Sequence, residues 1–183
     1  KASLGANAIL SVSLAFAHAS AVSQKQPLFS YFQKLSQAPS PLLPLPMINI
    51  INGGKHAAHS TDIQEFLILP VGASSFSHAL EMGANVFHSL SEVLTERGYD
   101  TTVGDEGGYA PHVKNGNHEA LDLIIEAIKK AGYEPEKDVV LGLDIAASEF
   151  YSNSNYELKT ENRHLSTDEM VNWLKDLSEQ YPI

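Results

Sequence analysis

The sequence contains no cysteine, so it can form neither a disulfide framework nor a thiolate metal centre. Any metal has to be held by oxygen or imidazole donors, which favours hard cations such as Mg²⁺. Basic residues are scarce, 12 against 22 acidic, giving a formal net charge of -10. No run of Lys and Arg makes a stripe able to follow a phosphate backbone, so nucleic acid is not an expected partner. A long uninterrupted apolar run is also missing. The longest stretch, residues 6–22, is rich in Ala and Ser, is broken by His18, and lacks a basic leader and a cleavage context. It reads as a core helix of a cytoplasmic protein, with no membrane span.

What is present is an ordinary globular composition, 43% hydrophobic and 19% charged over 183 residues, enough for one or two cores. Residues 6–24 hold good helix formers and no proline, and Pro27 suits the first turn of a second short helix through Tyr31 and Phe32. Four prolines then fall in positions 39–46, which forbids regular structure and marks a semi-rigid connector with a domain boundary near residue 45. The predicted domains are 1–44 and 45–183.

Beyond the boundary, residues 47–51 and 66–69 are short apolar runs bounded by Asn-Gly-Gly and Pro70, lengths that suit buried strands. The period then changes. Leu80, Gly83, Phe87, Leu90 and Leu94 recur at steps of three and four before Gly98, and Leu121, Ile124, Ile125 and Ile128 do so before Gly132. A third apolar run, residues 139–143, stops at Asp144. Ser166 and Glu169 have capping-box spacing ahead of Met170, Leu174 and Leu177. The predicted order is strand, strand, helix, helix, strand, helix, with an exposed hairpin or excursion over residues 153–163. Such alternation suits a doubly wound sheet or part of a (β/α)8 barrel, and a whole barrel needs about 250 residues. On this reading the chain looks cut after Tyr181-Pro182-Ile183.

Three segments place acids or His at strand ends, where α/β folds put function. The first is Asn52-Gly53-Gly54-Lys55-His56 with the following Gln64-Glu65; the second is Gly104-Asp105-Glu106-Gly107-Gly108; the third is Gly142-Leu143-Asp144. Each has a plain alternative. The Gly-rich acidic segment also suits a solvated turn, although it is not a phosphate-cradling loop, which needs Lys-Ser or Lys-Thr opening a helix. Glu65 opens an apolar strand, where a charge needs a partner or a function unless the strand is an edge facing water. Asp144 is placed as a metal ligand or as a turn cap. His56 follows two glycines in a loop expected to be mobile, or is a surface histidine. The remaining histidines share no ligand spacing.

Taken together, the segments KASLGANAILSVSLAFAHA, MINIINGGKHA, DIQEFLILPVGA, VGDEGGYAP and GLDIAASEFY resemble the enolase family across nearly the whole chain. The resemblance implies an α/β fold: a partial enolase-type (β/α)8 barrel opening ββαα and then βα, preceded by the helical end of an N-terminal α+β domain. It also implies the reversible, Mg²⁺-dependent dehydration of 2-phosphoglycerate to phosphoenolpyruvate in glycolysis and gluconeogenesis, in a parent that is a homodimer or larger homo-oligomer. Removing a proton beside a carboxylate creates a dianionic enolate that needs cations; enolase-superfamily sites are a standard example of a Lys or His base working with Mg²⁺. Asp144 matches a metal ligand of the family. Expelling hydroxide needs an acid, and Glu106 matches the family's proton donor. Glu65 matches its acidic partner near the substrate hydroxyl, with Gln64 beside it contacting substrate. His56 matches the loop histidine that closes over the substrate and excludes water.

Two departures stand out. Residues 57–61, Ala-Ala-His-Ser-Thr, replace the Gly-, Asp- or Asn-containing versions of that loop. The later metal ligands, the catalytic Lys and the phosphate-gripping residues are not in the chain, so the 183 residues by themselves are expected to be inactive. The rival readings are a noncatalytic enolase-like binding or structural module, and another enolate-forming member of the same superfamily.

Overall fold

The computed structural model of the chain describes residues 3–57, 60–104 and 106–183. It divides into two units, Lys1–Pro44 and Leu45–Ile183. The first holds two helices, α1 (Ala6–Ser23) and α2 (Leu28–Ser36), packed on each other. Pro27 stands at the N-cap of α2, one position before the first turn. The core-helix expectation for α1 is not met: only Ala17 and Ala21 are buried along it, while Val12, Phe16 and Val22 are exposed. The physical reason is that within its unit α1 has only the nine-residue α2 to lie against, too little surface to cover an apolar helix on several sides. By length and mean hydropathy (1.3) α1 also passes as a membrane span, a test that apolar helices of soluble proteins pass as well. Residues 38–47, which include the prolines, form no helix or strand.

The second unit is built on three strands, β1 (Ile48–Asn52), β2 (Glu65–Leu69) and β3 (Val140–Asp144), in the order β1-β2-β3. The central strand β2 runs antiparallel to both neighbours. This departs from the all-parallel pattern of a doubly wound sheet and suits the ββαα opening. Between β2 and β3 come α3 (Phe76–Glu96) and α4 (Gly116–Lys130), which pack on each other. Of the residues whose spacing marked these helices, Leu90, Leu94, Leu121, Ile124 and Ile128 are fully buried and Gly83 is buried, whereas Phe87 is partly buried and Leu80 is exposed. The inner face of α3 is completed by Met82 and Val86 instead. Phe66 and Ile68 of β2 and Ile50 and Ile51 of β1 complete the same core. Ile50, Ile51 and Asn52 are buried in succession in β1, and a register irregularity between Asn49 and Ile51 breaks the simple alternation of faces there.

The excursion after β3 is more ordered than the predicted exposed hairpin. It forms a second sheet of β4 (Tyr151–Ser152), β5 (Asn155–Leu158) and β6 (Arg163–Leu165). Asn153 and Ser154 both take positive φ, 48° and 64°, as a two-residue hairpin turn of matching twist requires. Leu158 and Leu165 are buried against α5 (Thr167–Gln180), with Met170, Trp173 and Leu177 on its inner face. The Ser166–Glu169 capping box forms as expected.

At the start of α4, the Glu119 carboxylate gathers the chain ahead of it. It accepts from the Lys114 and Asn115 amides, each at 2.8 Å, and from the Tyr99 phenol. Burial acts to raise its pKa, but those three donors outweigh burial and hold it below the ordinary value. A depressed carboxylate contributes stability above its unfolded pKa of about 4.3 and loses it as pH falls through the lower folded value. Glu119→Gln is therefore expected to destabilise the chain by a constant amount at neutral pH and by progressively less below about pH 4. Urea melts at pH 7, 5 and 3 check this; a gap between the proteins that widens toward acid contradicts it. Ser166→Ala should cost about 1 kcal/mol and Ile124→Ala about 2–5 kcal/mol in the same melts.

Candidate functional site

Because β2 runs against its neighbours, its first residue lies beside their last. Glu65 is paired with Asn52 on one side and Asp144 on the other, so these three side chains form one row across the sheet end and share a face. The row explains how a residue at the start of a strand belongs with residues at strand C-termini. It also removes the edge-strand alternative for Glu65, since β2 is central.

His56 is brought to the same row by the turn after β1. The His56 and Ala57 amides donate to the Gly53 carbonyl at 3.0 and 3.2 Å, and the Gly53 and Gly54 amides donate to the Gln64 and Thr61 carbonyls at 2.8 Å each. These bonds join the start of the loop to the lead-in of β2. Both glycines are required. A Cβ on Gly53 would sit 1.8 Å from the Thr61 hydroxyl oxygen, and Gly54 has φ of 51°. His56 Nδ1 ends 3.3 Å from Glu65 Oε1, with the two side chains 24% and 21% exposed. This is ion-pair distance without hydrogen-bond alignment, and Nδ1 has no aligned partner among the described residues. Gln64 joins the row through its backbone, its amide donating to the Asp144 carbonyl at 3.1 Å.

Asp144 is exposed, and one oxygen accepts from the Ala146 amide at 3.1 Å, so it caps the following turn while leaving its other oxygen to solvent. The turn-cap reading of this residue is thus met. Among the described residues no group of three or more acids and histidines converges in a way that would hold a metal. Asp144 alone does not fit Mg²⁺, which demands six near-octahedral oxygens.

The Gly-rich acidic turn docks on β1. Tyr109, directly after it, donates to the Ile50 carbonyl at 2.9 Å and accepts from the Asn52 amide at 2.8 Å. A Cβ on Gly108 would lie 2.9 Å from the backbone of Ile50 and Ile51, and one on Gly104 2.4 Å from Asn52 Nδ2, so these two glycines allow the turn to approach the strand. Glu106 is exposed in that turn. Asp105, Ala58 and His59 lie outside the described residues. The structure thus brings His56, Gln64, Glu65 and Asp144 together and holds Glu106 on the neighbouring turn.

Sequence reasoning included Asn52 in its first strand-end segment but gave it no role. It is fully buried, its Oδ1 accepts from Asn49 Nδ2, and its own Nδ2 has no partner among the described residues. Its position ahead of Gly-Gly was the available signal. Sequence reasoning missed the Lys55–Glu149 ion pair, which joins the His56 loop to the turn after β3.

The family model described as enolase, C-terminal TIM barrel domain, matches residues 40–183. That span covers most of the chain, and the protein belongs to this family. The mixed strands and helices of the second unit agree with a part of such a barrel.

The docking of the acidic turn gives a direct test. Gly107 has φ of 89° with open space where a Cβ would go, whereas Gly108 meets backbone. Gly107→Ala should cost about 1–2 kcal/mol through strain alone. Gly108→Ala should cost more and shift the Tyr109 amide resonance, because the turn must lift from β1. Equal melting temperatures for the two variants would contradict this docking.

Proposed function

We propose that the chain supplies the acid side of an enolase active site, for the reversible dehydration of 2-phosphoglycerate to phosphoenolpyruvate. The observation that carries the reading is the row of Asn52, Glu65 and Asp144 with His56 packed against Glu65. Glu106 is the proton donor to the departing hydroxyl. Hydroxide is a poor leaving group, so a carboxylic acid on the adjoining turn lowers the barrier by delivering the proton as the carbon–oxygen bond breaks. Glu65 lies beside the substrate hydroxyl, where its carboxyl group accepts a hydrogen bond from it. Gln64 contacts substrate, and His56 covers it on the Gly53–Gly54 turn and shields the reacting atoms from water.

In this reading Asp144 would be one ligand among several of a Mg²⁺ ion, whose charge would neutralise the substrate carboxylate when bound. The described residues do not complete that metal site, so the chemistry assigned to this chain is proton delivery and substrate enclosure. The activity of the whole parent, its cytoplasmic setting in glycolysis and gluconeogenesis, and its assembly as a homo-oligomer belong to the same proposal. The helices α1 and α2 are then the end of its N-terminal domain, and the 183 residues alone are inactive.

The test is a chimera in which residues 40–183 replace the matching segment of an active family member, assayed with Mg²⁺ for phosphoenolpyruvate formation. The chimera is expected to turn over, and Glu106→Gln to lose about 10²–10⁴-fold in kcat, the usual worth of a general acid. A folded but inert chimera, or full activity in the Glu106→Gln variant, would sink the reading.

A further inference from the structure

The His56 turn owes its position to the segment just ahead of Glu65, residues 60–64, and that segment is gripped from behind at Asp62 and Ile63. Asp62 is a carboxylate only 9% exposed, and Asn117, near the start of α4, is fully buried. They hold each other across 55 residues of sequence. Asn117 Oδ1 accepts from the Asp62 and Ile63 amides at 3.1 and 3.0 Å, while its Nδ2 donates to Asp62 Oδ2 at 3.3 Å and to Glu161 Oε1 at 2.8 Å. Asp62 Oδ1 accepts from the Lys159 amide at 2.7 Å, and Oδ2 from the Thr160 amide at 3.2 Å and the Thr160 hydroxyl. A carboxylate this deep survives burial only because donors surround it, so its orientation is fixed by all of them together.

The front of the same segment faces the site. The Thr61 and Gln64 carbonyls are the acceptors for Gly54 and Gly53, and Glu65 follows directly. Residues 61–64 are therefore a beam with the clamp on one side and the His56 turn on the other. We propose that Asp62 and Asn117 are positioning residues: through this beam they set the approach of His56 to Glu65. The inference rests on the acid-side reading for its catalytic meaning, but its structural content stands without substrate.

The experiment uses the 183-residue chain, nitrogen-15 labelled, with Asn117→Ala and the milder Asp62→Asn, which keeps one acceptor oxygen. The control is Leu177→Ala on α5, which removes buried apolar volume without removing any hydrogen bond of the clamp. In the parent and the control, Glu65→Gln shifts the His56 ring resonances, and the Gly53 and Gly54 amides exchange slowly. In Asn117→Ala the Gly53 and Gly54 amides exchange roughly tenfold faster or more relative to Asn52 and Tyr109, and Glu65→Gln no longer moves the His56 ring. Asp62→Asn shows the same pattern more weakly and decides the matter if Asn117→Ala does not fold. Unchanged exchange and an intact His56 response in the clamp variants would overturn the proposal, as would equal loss in Leu177→Ala. Neither readout involves turnover, so an inert chimera leaves the clamp standing and a failed clamp leaves the chemistry standing.

Discussion

The direction of β2 is the constraint on which the rest of the second unit depends. Twelve residues, 53–64, separate β1 from β2, the least a helical crossover to a parallel neighbour can use, and those described form turns and no helix. Without a crossover the chain reverses, and reversal delivers Glu65 to the end of the sheet where Asn52 and Asp144 already lie. Had β2 been parallel, its first residue would sit at the opposite end, roughly 15 Å away across a five-residue strand. A single topological choice thus converts a charged residue opening an apolar strand into a member of a polar row.

Glycine is what makes the reversal dense enough to be useful. The turn after Asn52 is pressed so closely on the β2 lead-in that Gly53 has no room for a methyl group, and the acidic turn is pressed on β1 through Gly104 and Gly108. Close approach of backbone to backbone leaves side chains on the outer surface as the only variable parts. His56 and Glu106 are carried there, each on a turn whose backbone is already fixed by hydrogen bonds to a strand. Sites of this construction combine a rigid frame with side chains that remain free to meet a ligand.

Periodicity made the elements of the second unit legible: the helical spacing of Leu80 to Leu94 and of Leu121 to Ile128 specifies α3 and α4, and Ser166 with Glu169 marks the start of α5. Strand positions were readable from short apolar runs, but strand direction was not, because a run of Phe-Leu-Ile-Leu reads the same either way. The row of Asn52, Glu65 and Asp144 was therefore hidden, although two of its members stood out as charges at strand ends. The order over residues 151–165 was hidden for a different reason: three very short strands bury Leu158 and Leu165 without any alternation long enough to register. The Asp62–Asn117 contact leaves no trace in spacing at all, since neither residue is unusual where it stands and only the fold brings them together.

The two glutamates of the candidate site differ in a way that bears on their proposed roles. Glu65 belongs to a central strand, paired on both sides and in contact with His56, so its charge is held at a fixed place. Glu106 is exposed on a turn that contacts β1 through backbone and leaves the carboxyl unconstrained by any strand pairing. A fixed charge suits a residue that shapes the field around a substrate, because its work is done by position alone. A less constrained carboxyl suits a proton donor, which has to follow a leaving oxygen as the bond to it lengthens; catalytic hydrogen bonds are commonly long before substrate arrives and tighten with it. The proposed division of roles between the two acids thus follows a difference in their backbone setting, strand pairing for Glu65 and an exposed turn for Glu106.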